Sequence, residues 1–179
     1  MKRMVMASVV VMGLLSAGIA CADGKSDECV LPPPYAGSAE FQRMKSLAGA
    51  WEGANPMMPE GKMKVVYEVT SNGSAVVERT APGTPHEMVT VYHDEKGRLA
   101  MTHYCALGNQ PRLVLASATP DTIQLTFAKG NVIRPKKEDH MHALAITFLG
   151  PDQIQQEWTG YRHGQQEKPA SFTLTRVKE

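Results

Sequence analysis

Histidine and cysteine carry the widest chemical reach in this chain, and their spacing is uneven. Of six histidines, His86 and His93 bracket one apolar stretch, His103 stands two before Cys105, and His140 stands two before His142. Side chains two apart in an extended strand share a face. His103 and Cys105 are therefore expected beside Leu99 and Met101, and His140 and His142 beside Leu144, Ile146 and Phe148. Imidazole and thiolate suit zinc or copper, which makes His103, Cys105, His140 and His142 candidate metal ligands. None of them has the tight loop spacing of a structural zinc motif. The same groups can equally be polar side chains at a barrel mouth, bonded to backbone or water. Glu78, in line with Ser74 and Val76, is a candidate inward carboxylate.

Signatures of catalysis are missing from the rest of the chain. There is no G-x-S-x-G elbow, no H-E-x-x-H and no Gly-rich phosphate cradle. His103 and Cys105 stand parallel on one face rather than aimed at each other, which is poor geometry for a nucleophile and its base. No catalytic residue is assigned, although barrels of this kind can support catalysis with scattered residues.

The elements that must position these groups are strands. A short helix is expected from Ser38-Ala39-Glu40, with Phe41, Met44 and Leu47 at helical spacing and Gly49 as its stop. Strands follow at Trp51 and over 62–70, 74–80, 86–93, 98–106, 112–118, 122–128, 140–149, 153–162 and 169–178. Turn residues such as Ser71-Asn72-Gly73, Asp94–Gly97, Gly150-Pro151-Asp152 and His163-Gly164 separate them. Short strands joined by tight turns indicate an all-β fold: an antiparallel up-and-down barrel of about 8–10 strands that removes its edges by closing. Such a barrel is wide enough to hold a small ligand.

Leu47-Ala48-Gly49-Ala50-Trp51-Glu52-Gly53 resembles the opening of the calycin superfamily: lipocalins, fatty-acid-binding proteins and nitrobindin-like barrels. The resemblance implies that Trp51 closes one barrel end against a basic residue of the last strand, here Arg176. Arg over an indole face is a favourable cation–π pair. Segments 73–78, 86–93 and 102–106 with Gly108-Asn109-Gln110-Pro111 are similar to exported bacterial lipocalin-like proteins, described as domains of unknown function. The nitrobindin-like branch further implies a haem held by one interior histidine near the C-terminal strands. The matching position here, His163, falls in a turn, so that carry-over fails.

The N-terminus reads as an address. Met1-Lys2-Arg3 precedes an apolar run from Met4 to Ile19 and then small residues, the pattern of a signal peptide over 1–22. Ala20-Cys21-Ala22 is an A-x-A site that gives a mature start at Asp23. Gly18-Ile19-Ala20-Cys21 is a degenerate lipobox in which Cys21 would be lipidated. Either outcome takes the protein out of a bacterial cytoplasm, to a periplasmic, secreted or lipid-anchored location. Residues 23–37, with Pro32-Pro33-Pro34, read as a semi-rigid linker, and 38–179 as the barrel.

Composition agrees with that division. The chain has 179 residues with 19 Lys+Arg against 18 Asp+Glu, and loss of Lys2 and Arg3 turns the formal charge from +1 to −1. That balance excludes an electrostatic nucleic-acid binder. Removal of Cys21 leaves Cys29 and Cys105, which an oxidising compartment would allow to pair. The expected partner is a small, largely apolar molecule, with the membrane touched only through a lipid anchor. Val66, Val76, Val91, Met101, His103, Cys105, Leu115, Leu125, Ile146 and Trp158 are the residues expected to line its site. The competing expectation is an envelope interaction module with a filled core. No cofactor is required by either, while zinc, copper or haem would use the interior imidazoles and thiol.

Overall fold

Turn chemistry sets the strand boundaries. Lys96 and Gly97 both take positive φ (51° and 76°), the two-residue turn whose twist suits antiparallel neighbours. The computed structural model describes residues 31–55 and 58–178, so the segment expected to be a signal peptide, Cys21, Cys29 and most of the expected linker lie outside the described residues. One helix, α1 (Ala39–Lys45), precedes the strands β1 (Gly49–Asn55), β2 (Met58–Thr70), β3 (Ala75–Thr80), β4 (Met88–Glu95) and β5 (Arg98–Tyr104). Then come β6 (Arg112–Ala118), β7 (Thr122–Phe127), β8 (His140–Gly150), β9 (Gln153–Arg162), β10 (Gln165–Gln166) and β11 (Ala170–Arg176).

Every pairing is antiparallel and follows chain order from β1 to β9. The two-residue β10 and then β11 lie in succession along β9. Pairing of β11 with β1 closes the circle. The result is a closed antiparallel barrel of 10 strands, with β10 as a short extra piece.

One end is stoppered. Ser38 caps α1, its Oγ accepting from Phe41 N (3.1 Å), and Asp94 accepts from both Ser38 N (2.6 Å) and Ser38 Oγ (2.8 Å). An N-cap satisfies one of the donors a helix start leaves unpaired. Phe41, Met44 and Leu47 are buried beneath the helix. Trp51 is fully buried, and its Nε1 donates to Leu47 O (2.8 Å). Arg176, its register partner, lies 4.3 Å from the indole centroid and donates to Ala48 O (2.6 Å) and Ser46 O (2.8 Å). Gly49 fits because its φ of +123° disfavours a side chain and a Cβ there would stand 3.2 Å from the guanidinium. A Cβ at Gly53 would meet Thr173 O at 2.1 Å, so the β1–β11 seam requires glycine.

Two strand phases differ from expectation. Val65 and Tyr67 are buried, which puts Val66 on the outer face; Thr90 and Tyr92 are buried, which does the same for Val91. Val91 instead pairs across the outer surface with half-buried Val77. Cys105 also departs from its expected strand: β5 ends at Tyr104, and Cys105 opens a turn in which its N–H donates to Asn109 O (3.0 Å).

Candidate functional site

A row of polar side chains crosses the inner wall. Tyr67, Glu78, Thr90 and His103 are successive register partners on β2, β3, β4 and β5, each 2% exposed or less. Polar groups so buried must find partners inside the barrel. Glu78 is their hub. Tyr92 Oη donates to its Oε2 (2.7 Å), Gln156 Nε2 to the same oxygen (3.2 Å), and Thr80 Oγ1 to Oε1 (3.1 Å). Tyr67 adds a further hydrogen bond to Glu78. Gln156, reaching across from β9, also donates to Tyr67 Oη (2.5 Å) and accepts from Trp158 Nε1 (3.1 Å).

These neighbours all donate toward the carboxylate, and no cation faces it in this network. Burial raises the Glu78 carboxyl above its ordinary range, and the hydrogen bonds from Tyr92, Gln156 and Thr80 oppose that shift. Tyr67 and Tyr92 are pushed well above the usual phenol value, first by burial and then by the charge of Glu78.

Toward the end opposite the helix, His103 terminates the row. Its Nδ1 lies 2.8 Å from Thr90 Oγ1, and its ring packs against Trp158 with centroids 4.7 Å apart and planes tilted by 43°. His103 Nε2 is buried with no hydrogen-bond partner among the described residues. Burial lowers its pKa to about 4, so the ring is neutral at ordinary pH. If Thr90 donates to Nδ1, Nε2 carries an unused N–H; if Nδ1–H donates to Thr90, Nε2 carries an unused lone pair.

His140 and His142 form a separate group. A bulge between Met141 and Ala143 leaves His142 as the extra residue of β8 and sets Met141 opposite Gly160, so the expected common face with Leu144 is broken before His140. His140 Nε2 lies 3.0 Å from His142 Nδ1. The His142 ring stacks between Phe127 (5.1 Å) and Tyr161 (4.0 Å). Its pKa is lowered by burial and then by His140. Among the described residues no group of three or more His, Cys, Asp or Glu is arranged to hold a metal ion. The four metal candidates thus stand as a His103 site, a turn thiol whose pKa burial raises, and a hydrogen-bonded imidazole pair. Cys105 is a free thiol among the described residues. His163 is exposed in the β9–β10 turn, with φ 50°. His103 is packed against Trp158 with its Nε2 enclosed.

Of the other expected lining residues, Val76, Met101, Leu125, Ile146 and Trp158 are buried, and Leu115 packs half-buried against the core. Trp51, Val65, Val76, Tyr92, Met101, Leu113, Ile123 and Ile146 have no exposed surface, so the helix-side interior is filled. Exposure rises toward the other end, at Met63, Trp158 and Phe172 (6–8%). A groove of about 540 Å³ lies outside the barrel, along β1, β2 and β11, lined by Glu52, Gly53, Lys62, Thr175 and Arg176. Tyr67, Tyr92, Thr90 and Gln156 were not anticipated. The signal was a polar residue in phase with buried apolar ones, as in Ile154-x-Gln156-x-Trp158.

Comparison with known proteins supports the architecture. The crystal structure of Rv2717c from M. tuberculosis superposes with a TM-score of 0.51 at 16% identity, covering 79% of this chain and 99% of that one. At that identity the likeness shows the fold alone. No protein-family model and no curated protein sequence matches the chain.

Proposed function

We propose that the barrel binds a small, largely apolar molecule at its mouth, the end away from α1, with one polar atom of that molecule on His103 Nε2. The observation that carries this reading is that nitrogen: a buried, neutral imidazole atom without a partner, in a setting where Trp158, Met63 and Phe172 supply apolar surface. A buried polar group left unpaired costs about 1–3 kcal/mol, which a ligand atom would recover. Entry requires Trp158 to part from His103, and its indole is tethered through the Gln156 bond. No catalytic step is assigned. We further infer calycin-like kinship from Gly49, Trp51 and Arg176, and export from residues 1–22.

A specific observation favours a second reading, a filled-core interaction module: the side chains around Trp51 and Tyr92 leave no water-sized space. One experiment separates the two. Trp51 and Trp158 are the two tryptophans of the chain, so a Trp51→Phe variant isolates Trp158 fluorescence. An apolar fluorescent probe should shift that emission saturably, His103→Phe should weaken its binding, and native mass spectrometry of protein from its own cells should show a retained molecule. No saturable shift and no retained mass would leave the interaction module. Mass spectrometry of the mature N-terminus tests export: a start at Asp23 supports soluble release, and an acylated Cys21 supports anchoring.

A further inference from the structure

Three connections are tied together at the mouth. Asn109 Nδ2, in the β5–β6 turn, donates to Asp139 O (2.7 Å) of the β7–β8 loop. His163 N, in the β9–β10 turn, donates to Asp139 Oδ1 (2.9 Å). The β7–β8 loop is itself firmly built. Asn131 accepts from Arg112 N and donates to Arg112 O and Ala128 O, all at 2.9 Å. Ile133 is buried as an anchor, and Arg134 pairs with Glu138 (2.7 Å).

This scaffold holds Val132 almost wholly outside, at 90% exposure, between the clamp at Asn131 and the anchor at Ile133. The adjoining β5–β6 connection exposes Leu107 (56%), and the end of β5 exposes Tyr104 (49%). Charge around Val132 has one sign: Lys129, Arg134, Lys136 and Lys137 precede the first acid, Glu138. Arg134 is neutralised by Glu138, while the exposed Lys129, Lys136 and Lys137 make no ion pair among the described residues. A soluble acidic partner would match the lysines and leave Val132 in water. An apolar groove would match Val132 and strand the lysines. An anionic bilayer matches both, with headgroups for the ammonium groups and the acyl boundary for the valine.

We propose that the mouth end docks on an anionic lipid surface, inserting Val132 with Leu107 beside it and setting Lys129, Lys136 and Lys137 on the headgroups. This docking stands independently of what the mouth holds. Each lysine near such a surface contributes about fivefold to partitioning, and salt screens that share but not the apolar one.

The test is co-sedimentation of the whole chain with phosphatidylcholine vesicles, with and without phosphatidylglycerol. Residues 1–30 are kept identical in every variant, so differences read the loop. Phosphatidylglycerol should raise partitioning at least about tenfold at low salt. Val132→Ser should lower it about fivefold, and Lys136→Gln with Lys137→Gln should lower it further and flatten the salt dependence. Equal partitioning on both vesicle types overturns the proposal. So does a Val132→Ser variant that binds like the parent, or soluble polyglutamate binding the chain as tightly as the vesicles do.

Discussion

The two ends of the barrel solve the same problem in different ways. At the helix end, each side-chain nitrogen of the Trp51–Arg176 pair meets a partner: Trp51 Nε1 finds Leu47 O, and the Arg176 nitrogens find Ser46 O, Ala48 O and, as an ion pair at 3.4 Å, Asp152. At the mouth, the corresponding aromatic pair is Trp158 on His103, and one ring nitrogen is left without a bond. The closed end bonds this pair from its own backbone and leaves one buried donor, Arg43 Nη2, without a partner among the described residues. The mouth leaves two, Asn109 Oδ1 in a turn and His103 Nε2 inside the barrel against an aromatic ring, and the second is the place to look for a ligand.

The contrast can be broken first at the stopper. Trp51→Ala should cost about 3–5 kcal/mol in urea unfolding, because it empties the helix side, strands the Leu47 carbonyl and takes the ring from under Arg176. The mouth pair should sharpen the contrast through pH. His103 is neutral when folded, with a pKa of about 4, against about 6.5 when unfolded. The unfolded chain therefore binds the extra proton between those values, and stability falls as pH drops from 6.5 toward 4. The loss is about 3 kcal/mol, read as the melting temperature against pH. His103→Phe should abolish that acid slope.

Glu78 lies between the two ends and has the opposite sign. Its raised carboxyl means that the folded protein holds the proton more tightly, so stability falls as pH rises above the ordinary carboxylate range. Glu78→Leu strands the buried Tyr92 hydroxyl and removes one partner each from Gln156 and half-buried Thr80, and should cost about 2 kcal/mol, the relief of a buried charge offsetting part of the loss. Denaturant titration measures it, and a stabilised variant would show that charge burial outweighs the hydrogen bonds. Smallest of all, Val132→Ser should change unfolding free energy by less than about 0.5 kcal/mol, because the side chain touches almost nothing. A larger loss would mean that the loop depends on that valine for its own fold.

Local signals made the barrel legible. Turn residues marked the hairpins, and the paired Trp51 and Arg176 marked the seam. Phase was harder wherever two apolar residues stood together. In Lys64-Val65-Val66-Tyr67 nothing local decides which valine faces inward, and in Val89-Thr90-Val91-Tyr92 the apolar alternation points the wrong way. Thr90 is inside because His103 and Glu78 make the inner wall polar there, a condition set by strands far away in sequence. The β8 bulge was equally hidden, since one extra residue at His142 leaves no compositional trace and reverses the faces before it. His103 could be picked out as an inward imidazole, but its solitude depends on what surrounds it in space.

The β1–β11 seam carries a consequence for how the molecule is made. Arg176 bonds Ala48 across 128 positions of chain, so the first strand waits for the last before the cylinder can shut. Such long-range closure is slow, and a chain still emerging from the ribosome can pair β1 with β2 but has nothing to offer its other edge. The growing polypeptide stays an open sheet until its final strand arrives, so a cut anywhere in β11 leaves both edges of the sheet unpaired.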